Sequence, residues 1–104
     1  MANFNRFTQR NHIPIMVDFW APRGGPYQTM SITFKNVANV LEPHMRLAKL
    51  NIDVEKEIAS RWQIRSIPCL VIFDHDQEIA RKYGAIDNTS LIKWANTLNI
   101  SALA

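Results

Sequence analysis

The most constraining feature of this sequence is one apolar run that ends in a glycine and proline break. Residues 13–20, IPIMVDFW, are apolar almost throughout and carry a single acid, Asp18. A near-continuous apolar run of this length is typical of a buried strand in a parallel sheet. Gly24 and Gly25 then interrupt the pattern, and Pro26 suits the first turn of a helix. The segment therefore predicts a strand joined to a helix, the basic unit of an α/β fold.

Two amphipathic helices are predicted around this strand. After the break, apolar side chains recur every three or four residues, at Met30, Phe34, Val37, Leu41 and Met45. We expect Pro43 to disturb the last turn of that helix, because proline lacks the backbone N–H. Before the strand, Phe4 and Phe7 indicate a short helix over residues 3–10.

The second half of the chain predicts three more strands and two more helices. Residues 47–52 alternate between two faces, with Ala48, Leu50 and Ile52 on one and Leu47, Lys49 and Asn51 on the other. A helix over residues 55–62 follows, and then two strands, 69–73 and 78–83, form an antiparallel hairpin around the turn DHDQ. The last helix is expected to begin with a cap and to bury an apolar face. The expected caps are Asn88, Thr89 or Ser90, and the expected buried residues are Leu91, Trp94, Ala95 and Leu98.

Composition limits the chain to one domain and excludes several functions. The 104 residues suffice for one core, and the net charge of +3 is scattered rather than clustered, which argues against a nucleic-acid or membrane surface. The chain has one cysteine, Cys69, so no internal disulfide can form and a reducing compartment is expected. No segment has the roughly 18 apolar residues of a membrane span or a secretory signal's apolar core. We expect a cytoplasmic protein.

The motifs at the joints of this pattern resemble those of the thioredoxin family. VDFWAP, GP at the start of a helix, KLNID, IRSIPCLVIF and YGA occur in the family's order over residues 4–98, most like bacterial thioredoxins that read VDFWAPWCGPC. The resemblance implies a central mixed sheet with helices on both faces and a protein-disulfide reductase activity. The chain begins too late to supply the family's first strand, so about four strands are expected.

The resemblance also shows what the chain lacks. When WCGPCK is set against RGGPYQ, Arg23 takes the place of the tryptophan, Gly24 that of the attacking cysteine and Tyr27 that of the resolving cysteine. Only the central Gly25 and Pro26 match. In the family, a thiolate at the helix N-terminus attacks a substrate disulfide and the second cysteine resolves the product. Neither glycine nor tyrosine can do this, so the sequence predicts that the dithiol reaction is lost.

Two polar positions of the family's site are retained. Asp18 matches the family's buried acid, which is thought to take a proton from the resolving cysteine, and Lys49 matches the lysine near it. Without a thiol to serve, the acid is more simply read as an inherited residue. An unpaired buried carboxylate is unfavourable, and we expect Tyr27 to hydrogen-bond to Asp18.

The family's peptide-binding groove also appears in the sequence. The resemblance assigns to it Trp20, Arg23, Ile67, Pro68, Gly84 and Ala85, with Ile67–Pro68 as a cis peptide bond. An extended protein or peptide segment would bind there through backbone hydrogen bonds. The exchange of an aromatic residue for Arg23 makes the rim cationic, which either favours acidic partners or weakens ordinary ones. We expect a redox-inactive binding module.

Three alternatives remain open. Cys69 can act as a lone thiol in a protein-disulfide reductase with residual activity, or the chain can be a variant of an active thioredoxin. Gly24 and Gly25, with Arg23 beside them, can bind an anion at the helix N-terminus. The spacing of His12, His44, His75 and Cys69 is not that of a zinc site, so no metal and no cofactor is expected.

The expected absence of the first strand leaves residues 47–52 at an open sheet edge. Proteins usually cover such an edge with another chain, an extension or charge. Three explanations compete: the sequence is a piece of a longer protein, two copies form a homodimer along this edge, or a four-stranded domain is stable alone.

Overall fold

The described part of the chain alternates strands and helices in the predicted order. A computed structural model describes residues 13–23, 25–42 and 44–98. The strands are β1 (Ile15–Trp20), β2 (Arg46–Asn51), β3 (Cys69–Asp74) and β4 (Gln77–Tyr83), and the helices are α1 (Gly25–Leu41), α2 (Lys56–Arg61) and α3 (Asn88–Thr97). The helix expected over residues 3–10 lies outside the described residues.

The strands form a mixed four-stranded sheet in the order β2-β1-β3-β4. β1 runs parallel to β2 and antiparallel to β3, and β3 and β4 form the predicted antiparallel hairpin. In this register Asp18 lies between Lys49 and Leu70. The sheet, with helices packed against it, confirms the predicted α/β fold.

Alternate side chains of β1 and β3 enter two separate cores, one on each face of the sheet. Met16, Leu70 and Ile72 pack against α1 and α3, whereas Val17 and Val71 pack on the face that carries Ile58 of α2. Both strands are buried on both faces because each lies between two other strands and under helices. The predicted faces of β2 are also confirmed, since Leu47 contacts the first core and Ala48 the second.

The glycine and proline break starts α1 as predicted. The helix begins at Gly25, which places Pro26 in its first turn, where a missing N–H has no consequence. It ends at Leu41, two residues before Pro43, and the Leu41 carbonyl accepts a hydrogen bond from Met45 N at 3.0 Å. The helix therefore ends before Met45, the last apolar position of the predicted helix, although Met45 is buried in the same core; Pro43 itself lies outside the described residues.

The start of α3 corrects one prediction. The cap is Asp87, not Asn88, Thr89 or Ser90: its Oδ1 accepts a hydrogen bond from Ser90 N at 2.7 Å. That bond also lowers the pKa of Asp87, because it favours the charged carboxylate. The buried face of α3 is also smaller than predicted. Leu91 and Ala95 are fully buried, but Trp94 and Leu98 are only partly covered.

Replacing the cap residue should weaken α3. We expect Asp87→Ala to lower the Tm by about 4 °C, since it removes an N-cap hydrogen bond. Asn88→Ala is the matched control, and it should leave the Tm nearly unchanged. Thermal unfolding followed by circular dichroism compares the two. Equal effects would mean that Asp87 does not act as the cap.

The hairpin between β3 and β4 has an irregularity that bears on the site. His75 and Asp76 both have positive φ, 52° and 67°, as the central residues of a tight hairpin turn require. The register then shifts between Ile72 and Phe73, which pair with Ala80 and Glu78, so Ile79 is an extra residue in a β-bulge.

Candidate functional site

The loop after β1 places Arg23 beside Asp53. The Arg23 Nη1 donates a hydrogen bond to Asp53 Oδ1 in an exposed ion pair. The backbone N–H of Asp53 in turn donates a hydrogen bond to Asn51 Oδ1 at 2.9 Å, which helps to fix the position of Asp53. The charge of Arg23 is therefore partly neutralised within the protein, so this rim is less cationic than the sequence indicated.

The positions that match the two missing cysteines are only partly described. Gly24 lies outside the described residues, as does the side chain of Tyr27, whose backbone is in the first turn of α1. The hydrogen bond expected between Tyr27 and Asp18 therefore stays a prediction, and the alternative of an anion at Gly24 and Gly25 stays open.

Asp18 is a fully buried carboxyl group in the centre of the sheet. Among the residues that the structure describes, neither of its side-chain oxygens has a hydrogen-bond partner. Burial raises the pKa of Asp18 from 3.8 to about 6, and the positive charge of Lys49 opposes part of that rise. Within the described part of the chain, the charge of Lys49 therefore favours the ionised form of Asp18, but no hydrogen bond does.

Lys49 is the neighbour of Asp18 on the adjacent strand. The two residues are register partners between β1 and β2, and the Lys49 ammonium lies 6.0 Å from the centre of the Trp20 ring. The structure therefore brings together three of the predicted site residues, Asp18, Trp20 and Lys49.

Removing the charge of Lys49 should make Asp18 still harder to ionise. We expect Lys49→Gln to raise the pKa of Asp18 above about 6, since the lysine is the favourable charge that lowers it. An NMR titration of the Asp18 carboxyl carbon measures the change. Lys35→Gln, on α1, is the control and should leave the titration unchanged. An unshifted titration in Lys49→Gln would show that the two groups do not interact.

The loop before β3 has the geometry expected from the sequence. The Ile67–Pro68 bond is cis, and the Pro68 carbonyl accepts a hydrogen bond from Gly84 N at 2.9 Å. Because Phe19 pairs with Cys69 in antiparallel register, Trp20 at the end of β1 comes next to Pro68. The structure thus places Ile67, Pro68 and Gly84 together at the end of the sheet where α1 begins.

Gly84 leaves the surface beside Pro68 open. Its φ is +91°, a conformation that side-chain-bearing residues rarely adopt, and a Cβ built on it would meet no atom within 4 Å. Gly84 and Ala85 are both exposed. An approaching chain therefore has access to the backbone here.

Cys69 lies directly after this loop but points into the protein. Its side chain is fully buried between register partners Phe19 and Tyr83. Burial raises the pKa of the thiol from 9.0 to about 11, although the nearby charge of Arg81 opposes the rise. The lone cysteine is therefore a poor nucleophile at neutral pH.

Sequence reasoning missed the polar cluster around Arg81. Its guanidinium donates to both Glu78 carboxylate oxygens, to the Tyr83 hydroxyl and to the Trp62 and Gln63 carbonyls. Glu78 raises the pKa of Arg81, and Arg81 lowers the pKa of Tyr83, through these hydrogen bonds. The cluster joins β4 to the end of α2 next to Gly84. It therefore supports the strand end that carries the open surface.

Two further features bear on function. In the residues covered by the structure, no three or more histidine, cysteine, aspartate or glutamate side chains are grouped so that they could hold a metal ion. Within the same residues, no helix is both long and apolar enough to cross a membrane.

Comparisons with known proteins identify the family. The family model described as Thioredoxin matches residues 1–97. Thioredoxin 1 of Synechococcus elongatus is 36% identical over 98 residues, which cover 94% of this chain and 89% of that protein. Thioredoxin of Rickettsia bellii is 32% identical over 94 residues, 90% of each. With the mixed sheet and the cis-proline loop, these matches establish an α/β domain of the thioredoxin class. The chain belongs to the thioredoxin family.

Proposed function

We propose that this chain is a redox-inactive member of its family that binds protein or peptide segments. The observation that carries the proposal is the contrast between the exposed backbone at Gly84 and the buried thiol. Gly84, which donates a hydrogen bond to the Pro68 carbonyl, is exposed with open space where a Cβ would stand, while the single cysteine of the chain is buried. The surface supports binding, and the thiol is unsuited to exchange.

The chemical half of the proposal follows from the residues at the helix start. Disulfide exchange needs a thiolate that attacks and a second thiol that releases the product. Residues 24 and 27 are glycine and tyrosine, and the chain has no second cysteine to resolve an adduct on Cys69. The same lack of a second thiol argues against both alternatives, which are residual activity through Cys69 and a variant of an active thioredoxin. A single cysteine also agrees with a reducing compartment, and we infer a cytoplasmic location.

The binding half follows from the backbone at the loop. An extended segment gains affinity from main-chain hydrogen bonds and specificity from the side chains around them. Ile67 is partly exposed and supplies an apolar contact, and Trp20, the last residue of β1, lies at the same end of the sheet. Since Arg23 is paired with Asp53, a partner need not be acidic to bind.

Selection of peptides tests the binding half. A phage-displayed library of random linear peptides is selected on the immobilised chain, and the recovered peptides are titrated against variants. We expect Ile67→Ala to weaken binding by roughly tenfold or more, because it removes about three methylene-sized groups from the contact. Ile32→Ala makes the same change on the exposed face of α1, at a side chain that is 64% exposed, and should have no effect. Recovery of no peptide, or equal loss in both variants, would contradict the proposal.

A further inference from the structure

The phenol of Tyr83 is an exposed polar group beside the backbone at Gly84. Tyr83 is the last residue of β4, is 38% exposed and directly precedes Gly84 in the chain. Consecutive Cα atoms lie about 3.8 Å apart, so a segment bound over Gly84 passes within reach of the Tyr83 side chain. The phenol is therefore placed to contact a chain that binds at this surface.

Two arginines contact the Tyr83 hydroxyl. Arg81 Nη1 donates a hydrogen bond to the Tyr83 oxygen at 2.8 Å. Hydrogen bonds from Arg81 and, as a smaller contribution, from Arg65 lower the pKa of Tyr83, so the Arg65 side chain lies beside the same hydroxyl. A guanidinium has N–H donors and no acceptor. Tyr83 therefore accepts from both arginines, and in the described part of the chain its own O–H has no acceptor.

The charges of the two arginines are balanced differently. Arg81 donates to both carboxylate oxygens of Glu78, at 2.7 and 2.9 Å, so its charge is matched within the protein. Arg65 is exposed, and within residues 13–23, 25–42 and 44–98 it forms no ion pair. Two guanidinium groups and one carboxylate therefore leave one positive charge uncompensated around the Tyr83 hydroxyl.

Arg81 also holds the loop that carries Arg65. Its guanidinium donates to the Trp62 and Gln63 carbonyls, at 2.6 and 3.1 Å, at the start of that loop. Because the same guanidinium bonds to Tyr83, the loop and the end of β4 are fixed relative to each other. The N–H groups of Arg65 and the O–H of Tyr83 are thus held side by side before a ligand arrives, which lowers the entropy cost of binding.

We propose that the Arg65 guanidinium and the Tyr83 hydroxyl together bind an aspartate or glutamate side chain of the segment that lies over Gly84. This inference rests on the proposed function, because it names the side chain that the bound segment prefers. A carboxylate accepts two N–H bonds from one guanidinium and has lone pairs left for a phenol O–H. Its single negative charge also equals the one uncompensated positive charge. Segments without an acid keep the backbone contacts and bind less tightly.

Selected peptides test the preference. A phage-displayed library of random linear peptides is selected on the unmodified chain and on Arg65→Gln, and the recovered peptides are sequenced. We expect aspartate or glutamate to be enriched at one position of the motif from the unmodified chain, and this enrichment to be absent with Arg65→Gln. Lys56→Gln, an equal charge change at the start of α2, is the control and should recover the acidic position.

Affinities measure the contact itself. An acidic peptide from the selection, and its counterpart with the carboxylate replaced by the amide, are titrated against each variant. On the unmodified chain we expect the acidic peptide to bind about tenfold more tightly, since the amide loses a charge-assisted contact. This ratio should fall to near one in Arg65→Gln and fall in part in Tyr83→Phe, which removes only the hydroxyl. It should stay unchanged in Lys56→Gln.

The outcomes separate this inference from the proposed function. Recovery of no peptide contradicts both. Recovery of peptides with no acidic position overturns the inference alone, as does an acidic preference that persists in Arg65→Gln or is lost equally in Lys56→Gln. An acidic preference that depends on Arg65 and Tyr83, while the amide peptides still bind, supports it.

Discussion

Restoring both cysteines, as Gly24→Cys with Tyr27→Cys, should convert this chain into a disulfide reductase. The fold already supplies a helix that begins at Gly25, directly after position 24. A thiol at a helix N-terminus with a pKa near 7 is roughly half ionised at neutral pH, because the helix dipole favours the thiolate. Cys69, with a pKa of about 11, is ionised in only about one molecule in 10⁴. We therefore expect turnover at least about 100-fold above that of the present chain.

The matched control is Gly24→Ser with Tyr27→Ser, which introduces side chains of similar size without sulfur. Reduction of a model disulfide-bonded protein by dithiothreitol, followed over time, compares the variants. A folded double-cysteine variant that stays as inactive as the serine control would contradict the assignment of positions 24 and 27 to the family's cysteines.

Asp18→Ala should stabilise the protein at neutral pH. The pKa of Asp18 is about 6 in the folded protein against 3.8 ordinarily, so the folded state holds the proton more tightly. The free energy of unfolding is therefore highest below about pH 4 and falls by about 3 kcal/mol as the pH rises through 6. Alanine cannot ionise, so the variant avoids this loss of stability. Its smaller side chain costs about 1 kcal/mol in lost packing contacts. We expect a net gain of about 1–2 kcal/mol at pH 7.5, which disappears near pH 4.

Urea unfolding at the two pH values measures the difference. Asp53→Ala is the control, because its exposed ion pair with Arg23 contributes little to stability and should change the free energy of unfolding by less than about 0.5 kcal/mol. A large loss of stability in Asp18→Ala at pH 7.5 would show that the carboxylate is bound by groups that make it structurally necessary.

The regular parts of the fold could be predicted from local patterns. The apolar run of β1, the spacing of α1 and the alternation of β2 each report which face a residue buries, and burial decides the structure there. The family resemblance added what such patterns cannot supply, namely the cis bond at Pro68 and the meeting of that loop with Gly84.

The predictions from the sequence failed where several residues satisfy the same local rule or where the backbone geometry is irregular. The four successive residues Asp87 to Ser90 are all of types that can cap a helix. Only the backbone conformation, which is extended at Asp87, decides that Asp87 is the cap. Glu78 and Arg81 are three residues apart and would face opposite sides of a regular strand, but the bulge at Ile79 brings them together. Likewise, the Arg23–Asp53 pair joins residues 30 positions apart, beyond any local pattern.

The most direct test of the central claim is the disulfide reductase activity of the unmodified chain. Turnover is measured with dithiothreitol and with thioredoxin reductase and NADPH, beside Cys69→Ser and the double-cysteine variant as positive control. We expect the unmodified chain and Cys69→Ser to be equally silent. Turnover in the unmodified chain that is lost in Cys69→Ser would show that the buried thiol reacts, and would contradict a redox-inactive binding module.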